Sequence, residues 1–146
     1  MKNIKFLILF ILFTRSIDSF SQIGITSYSI NSLGINTSQN NQISGEIKTF
    51  ANRPLKDVLM EIDGFYNFKP RAYHRFSIGL GVNVAPFRNY DQFHAVTIPA
   101  AIEIYPLRDF KKLSLLFELA PEILPENGVN LRSLWGVRYT FGKMED

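Results

Sequence analysis

The sequence predicts an all-β protein, a closed antiparallel up-and-down barrel of about eight strands that crosses a membrane after a cleaved leader. Three observations predict it. Apolar residues alternate along runs that reach 11 or 12 residues, longer than the 5 or 6 usual for strands of globular proteins and suited to the roughly 9 to 11 that cross a bilayer. The face opposite the apolar one consists mainly of Gly, Ser, Ala and Thr with a few charges, as in RFSIGLGVNVAPF at residues 75–87. The breaks between runs are short and rich in Asn, Pro, Asp, Gly and Lys, so consecutive runs pair as antiparallel neighbours.

The first 21 residues stand apart from this pattern. Lys2 and Lys5 precede the apolar run FLILFILF, and a polar stretch with Ser19 and Ser21 follows, which is the form of a secretory signal peptide cleaved before Gln22. Eight apolar residues are too few for a spanning helix, which takes about 20; an uncleaved anchor or a buried first strand is the alternative. Residues 22–146 then form the barrel domain. Of the 16 Lys and Arg and the 13 Asp and Glu, the leader holds Lys2, Lys5, Arg15 and Asp18, leaving 13 and 12 and a charge near +1. No basic arm remains to bind nucleic acid. With no Cys there is no disulfide framework, no thiolate zinc site and no lipid-modified cysteine anchor.

The predicted strands, in order, cover residues 24–29 (weak), 31–37, 43–51, 57–68, 74–85, 94–105, 113–123 and 131–141. Pro99 lies mid-run and cannot donate a ladder bond, which predicts a bulge or kink there.

Parity assigns the two faces. Ile78, Leu80, Val82, Ile102, Leu115, Phe117 and Val137 belong to the apolar band. The other parity carries Glu61, Asp63, Glu103, Glu118 and Glu122 against Arg75, Arg132 and Arg138, with Glu46 and Lys48 from the third run. A soluble sheet would bury the apolar band and gain nothing from Gly79, Gly81 and Gly136 on its wet face, because Gly weakens a strand interior. An eight-stranded barrel that turns its apolar band to lipid explains them, since its lumen has room for small side chains and a few long ones. Buried charges persist when paired, so the lumen is expected to hold a Glu and Arg network and no water-filled pore. Tyr66 and Phe68, Phe87 and Tyr90, Tyr105 and Phe110, and Tyr139 and Phe141 lie near run ends, where membrane barrels place interfacial girdles.

The leader, the compact meander and the closing stretch LWGVRYTFGK resemble the small outer-membrane β-barrel proteins of Gram-negative bacteria, of the OmpA/OmpX type. That resemblance implies an outer-membrane location, the lipid bilayer as partner, and a last strand read by the barrel-assembly machinery through Trp135, Tyr139 and Phe141. The chain departs from the pattern by continuing through residues 142–146 after the last aromatic.

Chemistry-bearing patterns are sparse. His74 and His94 are the two histidines, and Ser77 has no marks of a nucleophile beside them. Gly79-Leu80-Gly81 lacks the following helix of a phosphate loop. The carboxylate pairs Glu61 with Asp63 and Glu118 with Glu122 read as salt-bridge partners of the arginines before they read as acid and base or metal ligands. No catalytic, metal or cofactor site is therefore expected. The sequence favours a structural or interaction role in the cell envelope, with a soluble periplasmic lipocalin-like barrel binding an apolar ligand as the alternative.

Overall fold

A computed structural model describes residues 22–37, 41–52, 54–126 and 128–142; the expected leader and the last four residues lie outside the described residues. The strands are β1 (Ile23–Tyr28), β2 (Ser32–Thr37), β3 (Ile43–Phe50), β4 (Leu59–Asn67), β5 (His74–Val84), β6 (Phe93–Thr97), β7 (Ala100–Ile104), β8 (Leu113–Leu124) and β9 (Gly128–Phe141). Consecutive strands pair antiparallel except β6 with β7, and β1 pairs with β9 from Ile23 opposite Phe141 to Tyr28 opposite Gly136. This last pairing closes the sheet. β6 and β7 are the two halves of one wall strand between β5 and β8, so the nine segments make a closed eight-position barrel. Closure pairs the two edges of the sheet with each other, and the β8–β9 hairpin projects beyond the ring, since β1 meets β9 only from Gly136 onward.

A bulge or kink is expected at Pro99; the strand is interrupted there, between β6 and β7, but the register does not shift, so the interruption is not a bulge. Gly81 lies opposite Thr97 above the break and Ile78 opposite Ala100 below it, the same alignment on both sides. The ladder holds on either side of it: Gly79 N–H donates to the Pro99 carbonyl at 2.7 Å, and Ile98 N–H to the Pro121 carbonyl at 3.1 Å. The irregularity of β5 falls instead at Asn83 and Val84. Two ends differ from the sequence reading by more than one residue. β4 starts at Leu59 because Pro54 leads into a 3₁₀ turn at Leu55–Asp57. β9 starts at Gly128, whose φ of 81° fits a tight reversal that extends the β8–β9 hairpin three residues beyond the expected run.

Side chains alternate cleanly between the two faces. Along β4, Glu61, Asp63, Phe65 and Asn67 are buried while Ile62, Gly64 and Tyr66 are exposed. The apolar interior is small: Tyr28, Phe50, Leu59, Ala85, Ala101, Leu116 and Leu134 form one buried cluster. Tyr105 belongs inside as well, only 6% exposed, which corrects its expected place in an interfacial girdle. Most large apolar side chains point outward, as with Leu80 at 63% and Ile35 at 59% exposure.

Glycine marks where the interior is tightest. A Cβ on Gly136 would lie 2.7 Å from the Ser27 backbone carbonyl, and one on Gly79 would lie 2.8 Å from that of Gly64. Backbone cannot swing aside as a side-chain tip can. Gly136→Val is therefore expected to destabilise the folded barrel by about 1 to 3 kcal/mol through overpacking, read as a lower urea midpoint in detergent micelles. Gly128→Ala, with nothing within 4 Å of its Cβ, tests a different cost, because only its positive φ opposes the side chain.

Candidate functional site

The barrel interior carries the densest chemistry among the described residues: six carboxylates, Glu46, Glu61, Asp63, Glu103, Glu118 and Glu122, and four cations, Lys48, Arg75, Arg132 and Arg138, all on the inward parity. Cross-strand pairing makes space for them. Lys48 lies opposite Gly34, Asp63 opposite Gly81, Arg138 opposite Thr26 and Ser114, and Glu118 opposite Ala101. A long charged chain on one strand thus projects over a small residue on the next. This is the local reason why a lumen of eight strands holds both Gly and Arg.

Lys48 occupies the centre. Its Nζ lies 2.9 Å from Glu61 Oε1, 3.0 Å from Asp63 Oδ2 and 2.7 Å from Glu118 Oε2, and both its side chain and that of Glu61 are fully buried. The rings of Tyr28 and Phe65 lie 5.7 and 5.5 Å from the same ammonium, close enough for their faces to add cation–π attraction. Glu61 and Asp63 come from the adjacent β4, but Glu118 comes from β8, on the opposite wall of the barrel. The Lys48–Glu118 pair therefore spans the lumen.

A second strut crosses the first. Arg132, on β9, donates from Nη1 to Glu61 Oε2 and from Nη2 to Glu61 Oε1, each at 2.7 Å, so a two-pronged pair joins β9 to the facing β4. Nη1 also lies 2.7 Å from Glu122 Oε1 and Nη2 3.3 Å from Glu118 Oε1, while the guanidinium stacks 4.9 Å from the Phe50 ring. Bidentate pairing suits the planar fork of Arg. Below it, Arg138 donates to Glu46 at 3.0 Å and to the Thr26 hydroxyl at 2.7 Å and lies 3.7 Å from Glu103. Glu103 also receives Arg75 and the Ser114 hydroxyl, and the Tyr28 hydroxyl donates to Glu46 at 2.7 Å.

The structure thus brings Glu61, Glu118 and Arg132 together, and Arg75, Glu103 and Arg138 together, with Asp63 reached through Lys48. Lys48 is the member whose importance sequence reasoning underrated. Its neighbours in sequence, Ile47 and Thr49, put it on the inward parity, yet its pairing partner Glu118 is 70 residues away and leaves no local trace. Each of the six carboxylates has a cation within 4.0 Å. The space left among Glu46, Phe65, Glu103, Glu118 and Arg138 amounts to about 10 Å³, the room of a single water.

Outside the lumen, Ile78, Leu80, Val82, Leu115, Phe117 and Val137 stand exposed on the outer wall, with Ile102 partly covered among them. Trp135, Tyr139 and Phe141 line the outer face of β9, with the last two rings packed edge to face at 4.9 Å. Ser77 donates to the Asn67 side chain at 2.7 Å, and the His74 ring packs against Phe76 at 5.7 Å. His74 and Ser77 are thereby engaged separately.

Lys48→Met would leave Asp63 with no cation and Glu61 and Glu118 with Arg132 alone, and the expected cost is about 3 to 5 kcal/mol. Arg88→Ala is the comparison, because its pair with Asp57 at 3.1 Å sits on the rim with each side chain about a third exposed; it is expected to cost less than about 1 kcal/mol. Urea unfolding of the two variants in the same micelles checks the contrast.

No family model matches the chain, and no curated protein matches it. Among solved structures, the chain is similar to the N-terminal beta-barrel domain of Pseudomonas aeruginosa OprF, with a TM-score of 0.49 and 16% identity over 82% of this chain and 94% of that one.

Proposed function

We propose that this protein is a small outer-membrane β-barrel of a Gram-negative cell envelope, with a structural or interaction role and a lumen sealed by side chains. The observation that carries the reading is the inverted polarity of the wall. Lys48, Glu61, Asn83, Thr97 and Ser114 are 0% exposed inside, whereas Ile43, Leu33, Leu80 and Leu131 are 60% or more exposed outside. An apolar outer wall of this extent is costly in water and favourable in hydrocarbon. A closed hydrogen-bonded wall is also what a β-protein needs in lipid, where an open edge has no partner.

The same facts oppose the soluble alternative. A lipocalin-like barrel holds its ligand in an apolar interior, and here the interior is filled by paired charges. They equally oppose passive conduction: the Lys48–Glu118 and Arg132–Glu61 struts cross the lumen at 2.7 Å, and about 10 Å³ remains beside them. The exposed aromatics of β9, Trp135, Tyr139 and Phe141, support recognition of this strand by the barrel-assembly machinery during insertion. Residues 1–21 supply the export signal that such a route needs.

Expression of the full chain with fractionation of the envelope tests the location: the mature protein is expected in the outer-membrane fraction, with a gel mobility that changes on boiling. A soluble periplasmic protein without that shift would overturn the reading. Leu80→Arg, in the middle of the proposed lipid-facing band, is expected to cost about 2 to 4 kcal/mol of stability in a bilayer, and equal folding of this variant and the wild type in lipid vesicles would contradict the orientation.

A further inference from the structure

The outer wall is not uniformly convex. Cross-strand pairing lines up Phe76, Ile102, Phe117 and Trp135 in one row across β5, β7, β8 and β9. The next row is Ile78, Ala100, Leu119 and Ser133, in which two small side chains stand where the row beside it has Ile102 and Trp135. The result is an apolar groove of about 570 Å³ bordered by Phe76, Ile102, Phe117 and Trp135. A second hollow of about 520 Å³ lies at the β4–β5 turn, lined by Phe68, Lys69, Arg71, His74 and Phe76. Phe76 borders both hollows.

The turn hollow is electropositive. Lys69 and Arg71 are exposed, and neither side chain forms an ion pair with another described residue. The adjoining β7–β8 turn is tied to theirs by the Tyr105 N–H, which donates to the Tyr73 carbonyl at 2.8 Å. It adds Arg108, Lys111 and Lys112 against the single acid Asp109. At the other end of the barrel the described turns carry Lys56 and Arg88 against Asp57, Asp91 and Glu126, and Arg88 is already paired with Asp57. One end of the barrel is thus positive, and the apolar groove begins next to it.

We propose that these two hollows form one site for an anionic phospholipid, with the phosphate at Lys69 and Arg71 and an acyl chain running past Phe76 into the wall groove. Charge complementarity selects the head group, and the groove selects a molecule with a long apolar tail at the same depth. Exposed Phe68 and Phe76 bracket the boundary between the two halves, the position that aromatic side chains favour at a membrane surface. Two cations near a membrane surface favour a head group of net negative charge over a zwitterionic one, whose ammonium offsets its phosphate. The inference rests on the membrane reading above.

The test uses the folded full chain. It is first incubated with phosphatidylcholine vesicles, and insertion is scored by the mobility change on boiling. Lipid retention is then measured by native mass spectrometry of detergent-solubilised protein offered equal phosphatidylglycerol and phosphatidylcholine. Phosphatidylglycerol is expected to be retained about tenfold more than phosphatidylcholine. The double variant Lys69→Gln, Arg71→Gln is expected to bring the two lipids to parity while keeping the wild-type mobility change, and soluble glycerol phosphate is expected not to displace the bound lipid. Equal retention by the wild type, unchanged preference in the double variant, or displacement by glycerol phosphate would overturn the site while leaving the membrane reading intact. Failure to insert into vesicles would remove the membrane reading and the site together.

Discussion

An ammonium group with no water must be surrounded by acceptors, and the barrel is arranged so that Lys48 is. Its three carboxylate partners come from two opposite walls, at 2.7 to 3.0 Å, so the position of β3 relative to β8 is set by charge as well as by the hydrogen-bonded ladder. Arg132 performs the same task between β9 and β4. Moving any one of these strands by a single register step would turn its charged residue to the outer face and its apolar neighbours inward. The lattice therefore discriminates between registers even where the outer residues are interchangeable aliphatics.

Such a lattice is an expensive way to fill an interior, because ion desolvation offsets much of the Coulomb gain. It becomes consistent with the rest of the molecule once the apolar residues are committed to the outside. A chain with 46% hydrophobic residues that spends its large aliphatics on the outer wall must fill the lumen with the residue types that remain. Small residues and long paired charges do so together: Gly34 lies beneath Glu46, Gly81 beside Asp63 and Ala101 beside Glu118. The same economy of space packs the lumen, so the small residues and the ion pairs among the described residues have one cause.

The period-2 alternation made the closed antiparallel barrel legible, because it survives in every long run and assigns the two faces without reference to partners. Turn chemistry placed most strand ends within a few residues. The misses have local causes. Pro99 breaks the strand where a bulge or kink was expected, but the neighbouring carbonyls are satisfied by Gly79 and by the Ile98–Pro121 bond, so the register continues without a bulge. Tyr105 follows strand parity into the interior although it sits at a strand end, and aromatic position along the chain alone could not distinguish that from a girdle. The pairings within the lumen were legible only as a balance of signs. Which cation meets which carboxylate depends on residues 10 to 92 apart in the chain, and that information is in the closed geometry of the wall.

An apolar wall set in hydrocarbon can be detected from a side chain on that wall. The chain has one tryptophan, Trp135, which stands 61% exposed in the middle of that wall, on the same cross-strand row as Phe117. Its fluorescence can therefore be attributed without mutation. In vesicles made with lipids brominated along the acyl chain, the account predicts strong quenching of Trp135 by the bromines and little by aqueous acrylamide. Quenching by acrylamide with none from the brominated chains would contradict it.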